Sequence, residues 1–94
     1  MLRVKDHNKF RRFDYESEPN PFKYQLGHVL TKDYSKLYED SEQGIEIGVV
    51  IQTFNDGDVR TDMWGMCSES EVRPASVLEI KKYRPNLMDD LLIS

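Results

Sequence analysis

Ninety-four residues make one domain, with a core that buries roughly two-thirds of the unfolded surface, and 38% hydrophobic with 32% charged residues is an ordinary soluble composition. No apolar run nears the ~20 residues of a membrane span, and Met1 to His7 holds no apolar segment of signal-peptide length, so an unprocessed cytoplasmic chain with no membrane contact is expected. The single Cys67 excludes an intramolecular disulfide.

The net charge of −4 conceals a segregation. Residues 1–15 carry five basic side chains against two acidic ones, residues 33–71 ten acidic against two basic, and residues 72–85 four basic against one acidic. An acidic centre between basic ends favours a basic partner, or the chain's own tails, over a nucleic-acid backbone.

Residues 1–21 are polar and without sustained period, and they close with Glu18-Pro19-Asn20-Pro21. Paired prolines disfavour both helix and central strand. An N-terminal arm and linker is expected here, ahead of a folded unit over 22–94. Phe10, Phe13 and Tyr15 give the arm aromatic side chains to pack on the folded unit or on a partner.

Phe22 to Lys32 alternates and meets Gly27, which predicts a first strand kinked at that glycine. Asp33 to Gln43 reads as a long acidic loop carrying Tyr34, Leu37 and Tyr38. The clearest signal follows, in the run from Gly44 to Gly65. Ile45, Ile47, Val49 and Ile51 alternate with Glu46, Gly48, Val50 and Gln52, the period of a strand buried mainly on one face.

A three-residue loop, Asn55-Asp56-Gly57, with Gly57 left-handed, would join this strand to Val59–Met66. That register sets Gln52 opposite Arg60, Ile51 opposite Thr61, Val50 opposite Asp62, Val49 opposite Met63, Gly48 opposite Trp64 and Ile47 opposite Gly65. Trp64 then lies over a strand glycine, a known stabilising arrangement. It serves either as that cover or as a ligand contact.

A turn at Cys67–Ser70 precedes a short strand, Glu71-Val72-Arg73, ended by Pro74. Ser76 to Glu79 matches a capping box, so a short helix from Val77 to about Tyr83 is expected, stopped by Pro85. Leu87, Met88, Leu91, Leu92 and Ile93 form a small apolar stripe that either docks on the fold or joins copies of the chain.

No catalytic set emerges, so an enzyme is not expected. Asp56-Gly57-Asp58 lacks the further oxygen ligands of a calcium loop, and His7, His28 and Cys67 are too few, and wrongly spaced, for structural zinc. No metal or cofactor is expected. His28 has no identifiable catalytic partner, and Cys67 has no base.

The order of a kinked strand (Tyr24-Gln25-Leu26-Gly27-His28-Val29), a long polar loop, a strand led by Gly44, an Asp56-Gly57 turn, a strand with Trp64-Gly65 and a final Val72-Arg73-Pro74 resembles the small SH3-like barrels of the Tudor and KOW type, over residues 22–76. The whole also resembles small proteins of bacterial phages and mobile elements. The resemblance implies a mainly β fold, a barrel of four to five antiparallel strands with a short C-terminal helix and an N-terminal arm, acting as a binding module. Candidate contacts are Tyr34, Tyr38, Phe54 and Trp64 beside Glu46, Asp58 and Asp62, a set suited to a basic protein or peptide segment through cation–π and ion-pair contacts. Nucleic-acid binding through Lys5, Lys9, Arg11, Arg12, Lys81, Lys82 and Arg84 is the alternative, and homo-oligomeric assembly through the apolar stripe or a strand edge is a third.

Overall fold

A computed structural model describes residues 1–12, 16–18, 23–34 and 44–92. Six strands run in the order β1 (Arg3–Val4), β2 (Val29–Asp33), β3 (Ile45–Thr53), β4 (Val59–Thr61), β5 (Arg73–Pro74) and β6 (Leu91–Leu92). One α-helix, α1 (Val77–Tyr83), is described, with 3-10 turns at His7–Phe10, Glu69–Glu71 and Pro85–Asp90. Strands β4-β3-β2-β5 form one antiparallel sheet and β1-β6 a second, so the chain is small and mainly strand.

β3 is the spine of the larger sheet. It pairs with β2 through Val29–Val49, Leu30–Gly48, Thr31–Ile47, Lys32–Glu46 and Asp33–Ile45. Both faces are covered. One carries Val29, Ile47 and Val49 against Val4, Ala75, Ile80, Leu87 and Leu91, and the other carries Leu30 and Val50 against Tyr24, Val59, Cys67 and Val72. A strand buried on two faces reads as a nearly continuous apolar run. Val50 is accordingly fully buried, although simple alternation puts it on the outer side.

The hairpin tip follows the expected three-residue loop. The Phe54 N–H donates to the Asp58 carbonyl (3.1 Å), the Gly57 N–H to the Phe54 carbonyl (3.2 Å), and Gly57 has φ +98°. Gln52 stands opposite Arg60 as anticipated. The register then shifts, and Val50 rather than Ile51 stands opposite Thr61. Ile51 is the extra residue of a β-bulge, which moves Val59 and Thr61 to the face of Val50.

β4 ends at Thr61, so the expected pairings of Met63 with Val49, Gly65 with Ile47 and Trp64 with Gly48 do not form as a ladder. The chain folds back there instead: the Thr61 N–H donates to the Trp64 carbonyl (3.2 Å), and Thr61 Oγ1 accepts from the Met63 (3.3 Å) and Trp64 (3.1 Å) N–H groups. Trp64 nevertheless reaches Gly48 by this turn. A Cβ added at Gly48 would lie 2.8 Å from Trp64 Cζ3 and 2.7 Å from Thr61 Oγ1.

Two other expectations change. The first strand begins at Val29, because Leu26 and Gly27 form a turn in which Gly27 has φ +86° and the His28 N–H returns to the Gln25 carbonyl (3.1 Å). Phe22 lies outside the described residues. The expected arm is, over residues 1–12, part of the fold: the Val4 N–H donates to the Gly27 carbonyl, the Leu2 carbonyl accepts from Val29, and Val4 is buried. Two residues of strand are too few to leave a period in the sequence. Phe10 packs against the same cluster, whereas Phe13 and Tyr15 lie outside the described residues.

The expected strand over Glu71–Arg73 is displaced, since Glu69–Glu71 forms a 3-10 turn and Pro74 lies within β5 opposite Leu30; from Ser76 on the chain follows its local signals. Ser76 and Glu79 form both halves of the capping box, and Pro85 stands where α1 gives way to a 3-10 turn. Of the apolar stripe, Leu87 and Leu91 are core residues of this same chain and Met88 packs against them, whereas Leu92 is exposed and Ile93 lies outside the described residues. Replacing Gly57 with Val places a β-branched residue at positive φ and should lower stability by more than ~1 kcal/mol in chemical denaturation; an unchanged midpoint would contradict the loop assignment.

Candidate functional site

The expected site residues divide into three places. Tyr34, Glu46 and Trp64 gather at one corner of the sheet. The Tyr34 N–H donates to the Gly44 carbonyl (2.8 Å) and its hydroxyl to Glu46 Oε2 (3.3 Å), which fixes the phenol beside the carboxylate. Trp64 is half-buried, its indole N–H directed at Cys67 Sγ (3.2 Å) and its ring edge on Gly48. Between the two rings sits Lys32. Its Nζ is 5.1 Å from the Tyr34 centroid and 5.9 Å from the Trp64 centroid, both within cation–π range.

Lys32 was no candidate by sequence, yet the signal was there. Alternation along β2 puts Leu30 and Lys32 on one side, and the cross-strand partner of Lys32 is Glu46.

Phe54 and Asp58 lie at the hairpin tip, away from that corner. Six residues separate Phe54 from Gly48 along β3, about 20 Å at ~3.3 Å per residue. They do not join the Tyr34–Trp64 pair. Tyr38 lies outside the described residues.

Asp62 is not available to a partner. Arg84 Nη2 meets its Oδ2 at 2.5 Å and Nη1 its Oδ1 at 3.1 Å, and Oδ1 also accepts from the Val49 N–H (2.9 Å). The carboxylate therefore continues the ladder of β3 after β4 has ended, while the Asp62 N–H donates to the Val49 carbonyl (3.1 Å). The same guanidinium caps the Ile47 carbonyl (3.1 Å) and lies 5.5 Å from the Phe10 ring centroid. The pair is largely sequestered, with side-chain exposures of 23% for Arg84 and 11% for Asp62.

The alternative basic set is reduced by the same interaction, since the Arg84 guanidinium is engaged by Asp62 and the Ile47 carbonyl. Lys9 pairs with Asp90 at 2.5 Å, and that hydrogen bond raises its pKa above the ordinary lysine value. Lys5, Arg12, Lys81 and Lys82 are exposed, Arg11 is half-buried, and Lys82 lies 5.3 Å from the ring centroid of Tyr83.

The remaining titratable groups have structural surroundings. Burial pushes the Cys67 thiol up, in keeping with an unreactive cysteine. His28 is held below the usual imidazole value, first by burial and then by the positive amino terminus and Arg3, and its Nδ1 accepts from the Gln25 N–H (2.9 Å). The described residues contain no group of three or more His, Cys, Asp or Glu able to hold a metal ion. No described helix is long and apolar enough to cross a membrane.

An open cleft of about 400 Å³ is lined by Phe10, Arg12, Ile51 and the stretch from Arg60 to Gly65. A second depression of about 600 Å³ is more apolar and lies between the N-terminus, the start of α1 and β6. Comparison with known proteins adds no relative to these observations: no family model matches the chain, and neither curated proteins nor solved structures yield a match.

Two tests follow from these contacts. Asp62→Ala and Arg84→Ala should each destabilise by about 2–3 kcal/mol, because each strands a sequestered charge, and the double variant should lose at least ~1 kcal/mol less than their sum. Urea denaturation of the four proteins measures this, and strict additivity would mean the pair is not coupled. His28 binds protons less readily folded than unfolded, so stability should fall as pH drops through 6.5, its ordinary value. In His28→Gln that part of the pH dependence should vanish.

Proposed function

We propose that the protein is a non-enzymatic binding module of SH3-like build that recognises a Lys- or Arg-bearing protein segment at the Tyr34–Glu46–Trp64 corner. The observation that carries this reading is the position of Lys32. A lysine ammonium already sits within cation–π distance of both rings, beside a carboxylate, so the corner has the chemistry to hold a cationic side chain. An arriving lysine or arginine takes the place of Lys32, whose flexible stem lets its ammonium return to water.

Two supports lie nearby. Glu46 remains half-exposed at the corner, and Trp64 is anchored by Gly48 beneath and by Cys67, so its ring is presented without much loss of side-chain freedom. Asp62, engaged by Arg84, is not among the contacts of this reading, nor are Phe54 and Asp58.

The test is calorimetric titration of the protein with a lysine-rich peptide. Lys32→Met keeps the aliphatic stem and removes the resident charge; it should tighten binding about two- to fivefold. Trp64→Ala should weaken it about tenfold. Glu46→Gln should also weaken it, with thermal unfolding unchanged, which separates contact from support. Peptide affinity that ignores all three substitutions would exclude this corner.

A further inference from the structure

The two sheets are bridged at His28. Arg3 of β1 pairs with it, and the peptide groups on either side of His28 carry the contact: the Val4 N–H donates to the Gly27 carbonyl (2.9 Å), and the Val29 N–H to the Leu2 carbonyl (3.0 Å). From the other side β3 holds the same stretch, with the Gly27 N–H donating to the Val50 carbonyl (2.9 Å) and the Val50 N–H to the His28 carbonyl (3.0 Å). Residues 27–29 therefore lie between β1 and β3.

The half-buried imidazole shapes this junction. Its Nδ1 accepts from the Gln25 N–H (2.9 Å) while the His28 N–H returns to the Gln25 carbonyl (3.1 Å), so a reciprocal pair closes the turn ahead of β2. An imidazole accepts at Nδ1 only while that nitrogen is unprotonated, since both nitrogens of the imidazolium are donors. A proton there sets donor against donor. Charge on the ring is disfavoured too, first by burial and then by the amino terminus and Arg3, which act on it from the N-terminal segment and are both positive. The other neighbours do not offset this. His7 adjoins the turn, where a Cβ added at Gly27 would lie 3.8 Å from its own; β3 presents Val49 and Val50, and Ala75, which donates to the Val29 carbonyl (3.0 Å), is uncharged. Asp90 lies on the β6 side of β1, where it pairs with Lys9.

We propose that His28 is a proton-sensitive clasp between the two sheets, and that a proton taken up by its imidazole releases β1 from residues 27–29. The opening is local. β2 keeps its pairing with β3 from Val29–Val49 to Asp33–Ile45, and β1 keeps its pairing with β6. What is lost is the pair of backbone hydrogen bonds that join a two-residue strand to the larger sheet. The sign follows from the ring: closed, the clasp binds a proton less readily than open, so it is tight above the ordinary imidazole value of 6.5 and loosens as the pH falls below it.

The experiment is amide hydrogen exchange of the full chain, followed residue by residue by NMR and expressed as protection factors so that the intrinsic pH dependence of exchange is removed. Between about pH 7.5 and about pH 5.5 the Val4, Gln25 and Val29 amides should lose at least about threefold in protection. The Val59 and Cys67 amides, which donate to each other's carbonyls far from the clasp, should keep theirs. His28→Asn leaves an acceptor oxygen at the position of Nδ1 but nothing that titrates, and protection at Val4 and Val29 should then be the same at both pH values. His7→Asn should leave the pH dependence intact. Arg3→Gln, a change at an exposed position, removes a positive neighbour and should weaken the dependence, a second readout should His28→Asn not fold. Equal loss at Val59 and Cys67 would make the effect one of the whole fold and overturn the clasp. So would protection at Val4 and Val29 that ignores pH, or a pH dependence that survives in folded His28→Asn.

Discussion

The contact between Asp62 and Arg84 joins three parts of the molecule that are far apart in sequence. Asp62 supplies a side-chain oxygen to the Val49 N–H, Arg84 satisfies the Ile47 carbonyl, and the two meet face to face. β4 is only three residues long, so without these groups the adjoining stretch of β3 would present backbone donors and acceptors with no strand beside them. The same arginine approaches Phe10, which ties the end of α1 to the N-terminal segment. A planar, permanently charged guanidinium can serve a carbonyl, a carboxylate and an aromatic face at once, which a lysine cannot.

Charge segregation along the chain takes on a different meaning once folded. The basic C-terminal block reaches the acidic middle through Arg84 and Asp62, and the basic N-terminus reaches Asp90 through Lys9. Within the third block Arg73 and Glu79 form a two-pronged pair that holds the carboxyl below its ordinary range and the guanidinium above its own. Part of what reads as an acidic surface awaiting a basic partner is thus satisfied internally. Glu46 stays half-exposed beside Tyr34 and Lys32, whose ammonium lies near both the Tyr34 and Trp64 rings.

Trp64 can hold this position because of two adjoining details. Gly48 leaves room for the ring, and the turn at Thr61 brings it there. A ladder register alone would have put the indole over the same glycine, but by a route the chain does not take. The bulge at Ile51 is the difference: one unpaired residue rotates β4 so that Val59 and Thr61 join Val50, and the strand then closes on its own turn.

Local chemistry was legible wherever a few adjacent residues decide the outcome. The capping box at Ser76 and Glu79, the stop at Pro85 and the left-handed Gly57 of the hairpin follow from backbone sterics and short-range hydrogen bonds, which need no tertiary partner. The existence of the β3–β4 hairpin and its Gln52–Arg60 pair belong to the same class. Tertiary structure alone decided that both faces of β3 are buried, that Val4 enters the core with Leu2 packed against it, and that Asp62 and Arg84 engage each other. These depend on which distant segments supply apolar cover or opposite charge. Sequence spacing carries no record of that, because burial and ion pairing are properties of surfaces brought together only by folding.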